Sequence, residues 1–299
     1  MSLVPFPELM HAAARERYAV GYFESWNLES LLAAADAAER MRSPVLLGFS
    51  GIYLPHPQRR TREHLSVYYA FAWEAAACLT VPACLVFNES PHVDWVYQAI
   101  DLGFGLVMYS DEGLNSQSLI ATLLPIVERA HQHSVCVEAE LAALPGVGGE
   151  LGTTPDDLRI TDPAEARQFV AETNVDALAI NIGQLHLHGR KTVRLDLERL
   201  RALRKVVDVP LVLHGATSVD RDDLHAAIAI GVQKINVGSA LKRTYFEALR
   251  TACGQVGREY NPYQVIGSGL EGDVLTMARL ALQKHIEEWM QLFGSAGKA

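Results

Sequence analysis

The segment LVLHGATSVDRDDLHAAIAIGVQKINVGS, residues 211–239, reads as one strand–helix–strand unit. Leu211–His214 is a short β-rich run. Ser218 and Asp220 are helix-starting residues, the apolar pattern continues to Ile230, and Gly231 ends it. Lys234–Val237 then reads as a second strand that runs into another helix start. Strands linked through a helix in this way run parallel, and a helix layer covers them.

The same alternation extends outward along nearly the whole chain. Further strand candidates are Ala19–Glu24, Val45–Ser50, Ala83–Glu89, Leu106–Ser110, Val135–Leu141 and Ala177–Gly183, which makes eight in all. Most are continuous apolar runs, as parallel strands covered on both faces should be. Helical patterns fill the gaps at Leu28–Met41, Thr61–Leu79, Val93–Leu102, Ser116–His133, Leu195–Val206 and Leu275–Phe293. Another helix opens at Asp162-Pro163-Ala164-Glu165, where Asp162 caps free amides, Pro163 suits the first turn and Glu165 completes a capping box. Eight such units predict a single (β/α)8 TIM barrel over residues 1–299, with a C-terminal helical extension. The alternative is an open doubly wound sheet. No GxGxxG follows the first strand, which counts against the dinucleotide-binding form of that alternative.

Composition sets outer limits. The chain has 299 residues, 49% of them apolar and 20% charged, which is ordinary for a globular protein with a large core. A net charge of -9 argues against a general nucleic-acid or acidic-membrane binder. The start of the chain lacks a signal-peptide pattern, and the longest apolar stretch, residues 69–87, is broken by Glu74 and Pro82. It reads as a helix end running into a strand. Cys78, Cys84, Cys136 and Cys253 form no CxxC pair and sit among apolar neighbours, so all four are expected to be buried free thiols in a reducing cytoplasm.

Barrel chemistry sits at the C-terminal ends of the strands, and here those ends are polar. They carry Glu24, Ser50, Asn88-Glu89, Ser110-Asp111-Glu112, Glu138 and Glu140, His186 and His188, His214, and Asn236. Two histidines beside carboxylates suit a divalent metal, with zinc leading. The expected ligands are His186, His214 and Glu89, with Glu140 as a fourth or alternate ligand and His188 competing with His186. A second constellation suits an anion. Gly215, Thr217 and Ser218 follow the seventh strand, Gly238 and Ser239 follow the eighth, and both stretches run into helix starts. Either stretch taken alone also reads as simple helix capping. Arg59, Arg60 and Arg62 form a basic loop that reads as solvated, with anion binding over the mouth as the alternative.

These residues together resemble the class II fructose-bisphosphate and tagatose-bisphosphate (ketose-bisphosphate) aldolases. The likeness is carried by Tyr18-Ala19-Val20-Gly21, Ser43-Pro44-Val45, Val81-Pro82, Val137-Glu138-Ala139-Glu140-Leu141 and Thr161-Asp162-Pro163. It continues through Val175-Asp176-Ala177-Leu178-Ala179, Leu213-His214-Gly215, Lys234-Ile235-Asn236-Val237 and the terminal segment 292–299. The resemblance implies metal-assisted aldol cleavage and condensation, in which zinc or another divalent ion polarises the ketose carbonyl. It places metal ligands at His186, His214 and Glu140, an enediolate-facing amide at Asn236, and phosphate or substrate hydroxyls at Ser50, Thr217 and Ser239. It also implies a cytoplasmic homodimer or homotetramer acting on a sugar or sugar phosphate.

Departures from the family pattern fall in the same pocket. Leu-Asp-His-Gly after the third strand is replaced by Phe87-Asn88-Glu89-Ser90, which removes the family's proton carrier and exchanges a histidine ligand for Glu89. Glu24 stands for an asparagine, Ser110-Asp111-Glu112 for Asp-Gly-Ser, Leu185-His186-Leu187 for Ser-His-Gly, Gly215-Ala216-Thr217 for Gly-Gly-Ser, and Asn261-Pro262-Tyr263 for Asp-Pro-Arg. The pocket therefore gains acids and loses phosphate contacts, and fewer phosphates on the substrate are expected. Glu24 and Asp111 become the candidate proton carriers, and Asn88 stays in the catalytic set as an amide. The competing reading is a catalytically silent barrel that binds a metabolite or partner.

Overall fold

The computed structural model describes residues 2–141, 160–184 and 192–299. Eight strands close into a parallel barrel in sequence order. They are β1 (Val20–Phe23), β2 (Val45–Ser50), β3 (Ala83–Ser90), β4 (Leu106–Tyr109), β5 (Cys136–Glu140), β6 (Ala177–Ile180), β7 (Leu211–Leu213) and β8 (Val232–Val237), with β1 paired to β8. The open sheet is thereby excluded. The predicted strand centres hold, while several expected ends shift. Glu24 and His214 lie just beyond their strands. β6 stops at Ile180, before Gly183 at φ 111°.

The helices are α1 (Phe6–Glu16), α2 (Leu28–Met41), α3 (Leu65–Ala77), α4 (Val93–Leu102), α5 (Ser116–Gln132), α6 (Pro163–Thr173), α7 (Leu197–Val206), α8 (Arg221–Ile230), α9 (Ser239–Gln255), α10 (Pro262–Val265) and α11 (Val274–Leu292). Local chemistry explains their boundaries. Asn27 and Ser30 form a reciprocal capping box on α2. Asp162 accepts the Ala164 and Glu165 amides at 2.8 and 3.0 Å, as expected. Leu195 and Ser218 prove not to be helix starts. Asp196 caps α7 from the Arg199 amide, and Asp220 caps α8, leaving Ser218 in a short 3-10 turn over Ala216–Ser218. Gly231 ends α8 at φ 129°, a value L-residues avoid.

Two apolar cores result. The larger lies between the outer faces of the strands and the helix ring. The smaller fills the barrel itself and includes Val20, Tyr22, Leu46, Cys84, Val86, Leu106, Ala177, Ala179 and Val212. Helix α1, which the strand–helix reading leaves unassigned, seals this inner core. Its buried face of Phe6, Leu9, Met10 and Ala13 packs against those same residues at the N-terminal end of the barrel. The C-terminal helix α11 packs on α2 and α9. The chain end is tied down by a 2.8 Å Ser43–Ser295 hydroxyl contact and by the Ala299 amide donating to the Arg42 carbonyl.

The expectation of four buried thiols is corrected. Cys84 is buried inside the barrel and Cys136 is partly covered, but Cys78 and Cys253 are exposed. Cys78 caps the C-terminal end of α3 and Cys253 lies on an outward face of α9, so their apolar sequence neighbours face the other way. Among the described residues, no helix is long and apolar enough to cross a membrane.

Candidate active site

Side chains two apart on a strand share a face. In β5 and β8 that rule aims Glu138 with Glu140, and Lys234 with Asn236, into the barrel. The contacts show it directly. Lys234 Nζ lies 2.8 Å from Glu138 Oε2 although β8 and β5 are not neighbours. Both side chains are fully buried. Lys234 also donates to Asn236 Oδ1 at 2.7 Å, and its ammonium sits 5.5 Å from the centre of the Tyr22 ring. With Asn236 Oδ1 taken, its amide NH2 faces Asn88 and donates to Asn88 Oδ1 at 3.4 Å. Among the described residues, Asn88 Nδ2 is buried with no hydrogen-bond partner.

His214 is the centre of the charged cluster. Its Nε2 lies 2.8 Å from Glu138 Oε1, and its Nδ1 lies 3.1 Å from Glu89 Oε1. Burial pulls the imidazolium down, but hydrogen bonds and charge from Glu138 and Glu89 outweigh it and carry His214 up to about 10. Burial likewise pushes Glu138 up, and the Lys234 charge with the His214 hydrogen bond overcomes it, holding the carboxyl down at about 2. The resting cluster is thus two cations, Lys234 and His214, sharing the buried Glu138 carboxylate, with Glu89 at its rim.

Glu89 reaches this position through a backbone irregularity. Register between β3 and β4 shifts between Phe87 and Ser90, and Glu89 has φ 52°. A non-glycine residue in the left-handed region at a bulge is costly and re-aims a side chain. Here it turns Glu89 over the mouth toward β7.

The remaining predicted residues occupy the rim. Glu24 is paired to Lys242 of α9. Burial raises its carboxyl, Lys242 pulls it back and Glu89 adds to the rise. Lys242 Nζ also sits 5.7 Å from the Trp26 ring centre and 5.8 Å from that of Tyr53. Asp111 is turned into its own loop, accepting the Gly113 amide at 2.9 Å and the Tyr109 hydroxyl at 3.4 Å. Its neighbour Glu112 is raised by burial, then by Glu89 and Asp111. Ser50 Oγ accepts the Ile52 amide at 3.3 Å. Gly215 takes φ 67° just after β7 and Thr217 sits in the 3-10 turn. Ser239 opens α9, whose N-terminus has no side-chain cap. Arg59 is held by Glu63 at 2.6 Å and Tyr68 at 2.9 Å, and Arg62 by the Pro57 carbonyl at 2.8 Å.

His186, its competitor His188, and Leu185 and Leu187 lie outside the described residues, as does the loop of Pro145, Gly146, Gly148 and Gly149. Among the described residues, no three His, Cys, Asp or Glu side chains are gathered as a metal site. The pair that is described nonetheless suits one. Neighbouring ligands on a common ion, each bonded at about 2.0–2.2 Å, stand roughly 3.1–3.5 Å apart. His214 Nδ1 and Glu89 Oε1 stand at 3.1 Å. Glu138 on the other ring nitrogen is the carboxylate that customarily orients a ligating histidine.

Sequence reasoning missed Glu138 as the buried organiser, Lys234 as its counter-ion, and Lys242 as the partner of Glu24. A signal existed. Glu138 and Lys234 are charges inside otherwise apolar parallel strands, and buried charges need partners.

A parallel barrel with a histidine clamped between carboxylates at the C-terminal mouth belongs to the barrel enzymes that work with polar or charged small molecules. Comparison with known proteins narrows the class. The profile of the family "Fructose-bisphosphate aldolase class-II" matches residues 4–298. A fructose-bisphosphate aldolase of Thermus caldophilus is 30% identical over 99% of this chain and 100% of its own. A 6-phospho-5-dehydro-2-deoxy-D-gluconate aldolase of Bacillus subtilis is also 30% identical, over 100% of this chain and 98% of its own. Among solved structures, the YdjI aldolase of Escherichia coli K12 superposes with a TM-score of 0.79 at 26% identity, covering 99% of both chains. A putative fructose-1,6-bisphosphate aldolase of Coccidioides immitis gives 0.80 at 26% identity, over 98% of this chain and 97% of that one. The chain belongs to the class II fructose-bisphosphate aldolase family, and its class of activity is that of an aldolase-type lyase.

Proposed function

We propose that this protein is a divergent metal-assisted aldolase that cleaves and forms a carbon–carbon bond in a ketose, or a related polyol or keto substrate, carrying fewer phosphates than a bisphosphate. The observation that carries the reading is His214, whose ring joins Glu89 on one nitrogen and Glu138 on the other at 3.1 and 2.8 Å. His214 and Glu89 would hold a divalent ion, zinc first, together with His186 and with Glu140 as the further carboxylate. When bound, such an ion acts as a Lewis acid on the substrate carbonyl. His214 would hold such an ion only as the neutral imidazole, with Nδ1 free of its proton.

The chain's own groups supply the rest. Lys234 fixes the flip of Asn236, so the Asn236 NH2 is the end offered to a developing oxyanion. Asn88 adds a second amide there and moves no proton. Asp111 is committed to its loop and Glu24 to Lys242, so Glu112, an exposed rim carboxyl raised by partial desolvation and by Glu89, is the carboxyl best suited to exchange a proton at the mouth. The two relatives at 30% identity act on different substrates, so overall identity does not choose between them. A cytoplasmic homodimer or homotetramer is the working assembly in this reading. Asn88 in the proton carrier's position favours the second reading, a silent barrel that binds a metabolite. Metal content of protein purified without chelator separates the two. Near one equivalent of zinc in the wild type, lost in His214→Ala, supports the lyase. No metal after zinc is added back refutes it.

A further inference from the structure

The eighth strand ends in Val237 and turns directly into α9 at Gly238 and Ser239. Gly238 is the N-cap residue of this 17-residue helix and makes no side-chain cap, so the first amides of α9 are left for another acceptor. An anion is favoured there by those amides and by the helix dipole. Glu24 lies against this turn. The Glu24 amide donates to the Val237 carbonyl at 3.0 Å, anchoring residue 24 beside the turn. From there its carboxylate folds over Gly238. A methyl group built on Gly238 would overlap Glu24 Oε2, so glycine is what lets the carboxylate lie on the turn. Lys242, one turn into the same helix, completes an ion pair with Oε1. The Glu24 side chain is only 17% exposed, and the ammonium of Lys242 is flanked by the rings of Trp26 and Tyr53.

We infer that Glu24 is a specificity-determining residue. It is a resident anion that lies on the turn into α9, neutralises Lys242, and keeps a phosphate group out of this side of the mouth. The end of the substrate that lies against β1 and β8 is then uncharged and hydroxyl-bearing. A phosphate dianion entering here would meet a carboxylate at contact distance in a partly desolvated site, and it would find the nearest ammonium already paired. A neutral hydroxyl faces neither penalty, and it can donate to the carboxylate. This inference rests on the reading of the mouth as a sugar site and deepens it, by assigning which end of the substrate lacks phosphate and which residue enforces that.

The test is a calorimetric titration of the full-length protein with inorganic phosphate. It needs neither metal nor turnover, so failure of the metal-dependent reading would show in metal content and leave this measurement intact. The wild type is expected to show no saturable phosphate binding at millimolar concentrations. Glu24→Gln, nearly the same shape without the charge, is expected to bind phosphate at least about tenfold more tightly. Glu24→Asp, which keeps the charge, is expected to gain nothing, and adding Lys242→Met to Glu24→Gln is expected to abolish the gain. Three results would overturn the inference: wild type binding phosphate as well as Glu24→Gln, a folded Glu24→Gln variant with no gain, or Glu24→Asp gaining as much as Glu24→Gln. Should Glu24→Gln not fold, wild-type crystals in molar phosphate decide instead. Anion density against the Gly238 turn refutes the inference, and its absence with Glu24 still in place upholds it.

Discussion

Replacing Glu138 by glutamine removes the one carboxylate that two buried cations share. Lys234 Nζ and His214 Nε2 each stand 2.8 Å from it, and none of the three side chains is more than 2% exposed. Glutamine keeps the shape and one acceptor but leaves Lys234 charged in the barrel interior without a counter-ion. Breaking a buried pair from one side costs about 3–5 kcal/mol. An independent route gives a similar figure. A carboxyl moved from 4.5 to about 2 on folding represents about 3 kcal/mol at neutral pH, counted once for the whole cluster, because the rise of His214 to about 10 reflects the same bonds. The sign is that of a depressed acid. This stability is fully present above about pH 4.5 and is lost as pH falls toward about 2. The assay is urea unfolding followed by fluorescence and circular dichroism, with coincident curves required before a free energy is read. At pH 7 Glu138→Gln should lie about 3–5 kcal/mol below wild type. The gap should narrow as both are taken below pH 4.5. Adding Lys234→Met should recover a large part of the loss, because the stranded ammonium is then gone. A Glu138→Gln variant as stable as wild type at pH 7, or a double variant whose losses simply add, would refute the account of the barrel interior.

Other outcomes follow from the same structure. Glu89→Gln should lower zinc affinity about 10–100-fold or more without unfolding the barrel, because it removes a rim ligand while Glu138 still pairs with both buried cations; competition with a chromophoric chelator reads it. Met10→Ala, at a fully buried position on the α1 plug, should cost about 2–5 kcal/mol in urea. It should leave zinc affinity within about twofold of wild type, since neighbours relax but sites at the opposite end of the barrel do not couple to it. Asp273 accepts the Leu275 and Thr276 amides through one oxygen, and those of Ser268 and Gly269 through the other. Asp273→Ala should therefore cost about 1–2 kcal/mol and free the loop before α11, seen as faster amide exchange at residues 268–270.

The barrel was legible because its strands are apolar runs and two of its helices announce their starts with caps at Asp162 and Asp220; the caps at Asn27, Asp196 and Asp273 went unread. Helix α1 escaped because it precedes the first strand and so has no place in the repeating unit; its apolar face is explained only by the open end of the barrel it covers. His214, Glu89 and Asn236 could be named because polar residues at parallel strand ends have few structural uses. Their partners could not. Whether Glu138 or Glu140 meets His214 depends on strand tilt across the barrel. Whether Glu89 faces inward depends on a bulge with φ 52° that no propensity predicts. The pairing of Glu24 with Lys242 joins residues 218 apart, from strand end to helix.

Depth in the barrel separates two kinds of residue. The segments that match the family pattern supply Glu138, Lys234, His214 and Asn236. Three of these form one ion-paired cluster below the mouth, and Asn236 hangs from it through Lys234. The departures from that pattern, Glu24, Asn88, Glu89 and the Asp111–Glu112 loop, stand around and above it. The lower group holds two cations on one carboxylate and is balanced only with Glu89 at its rim. Changing any member strands a buried charge, so it resists piecemeal replacement at a cost of several kcal/mol, about 3–5 for a broken pair. In the upper group Glu24 is bound to the flexible Lys242 and the Asp111–Glu112 loop borders solvent, so an exchange at those positions costs little stability, whereas Asn88 is itself buried and Glu89 pairs with His214. A fold arranged in this way can keep the platform that orients His214 and the Asn236 amide while the rim changes what it admits. Under the proposed aldolase reading, the added carboxylates alter what the mouth admits while the platform below them is kept. The retained lower cluster is accounted for by stability alone, so support for a working rim comes from Glu24, whose carboxylate has a lysine of its own at Lys242.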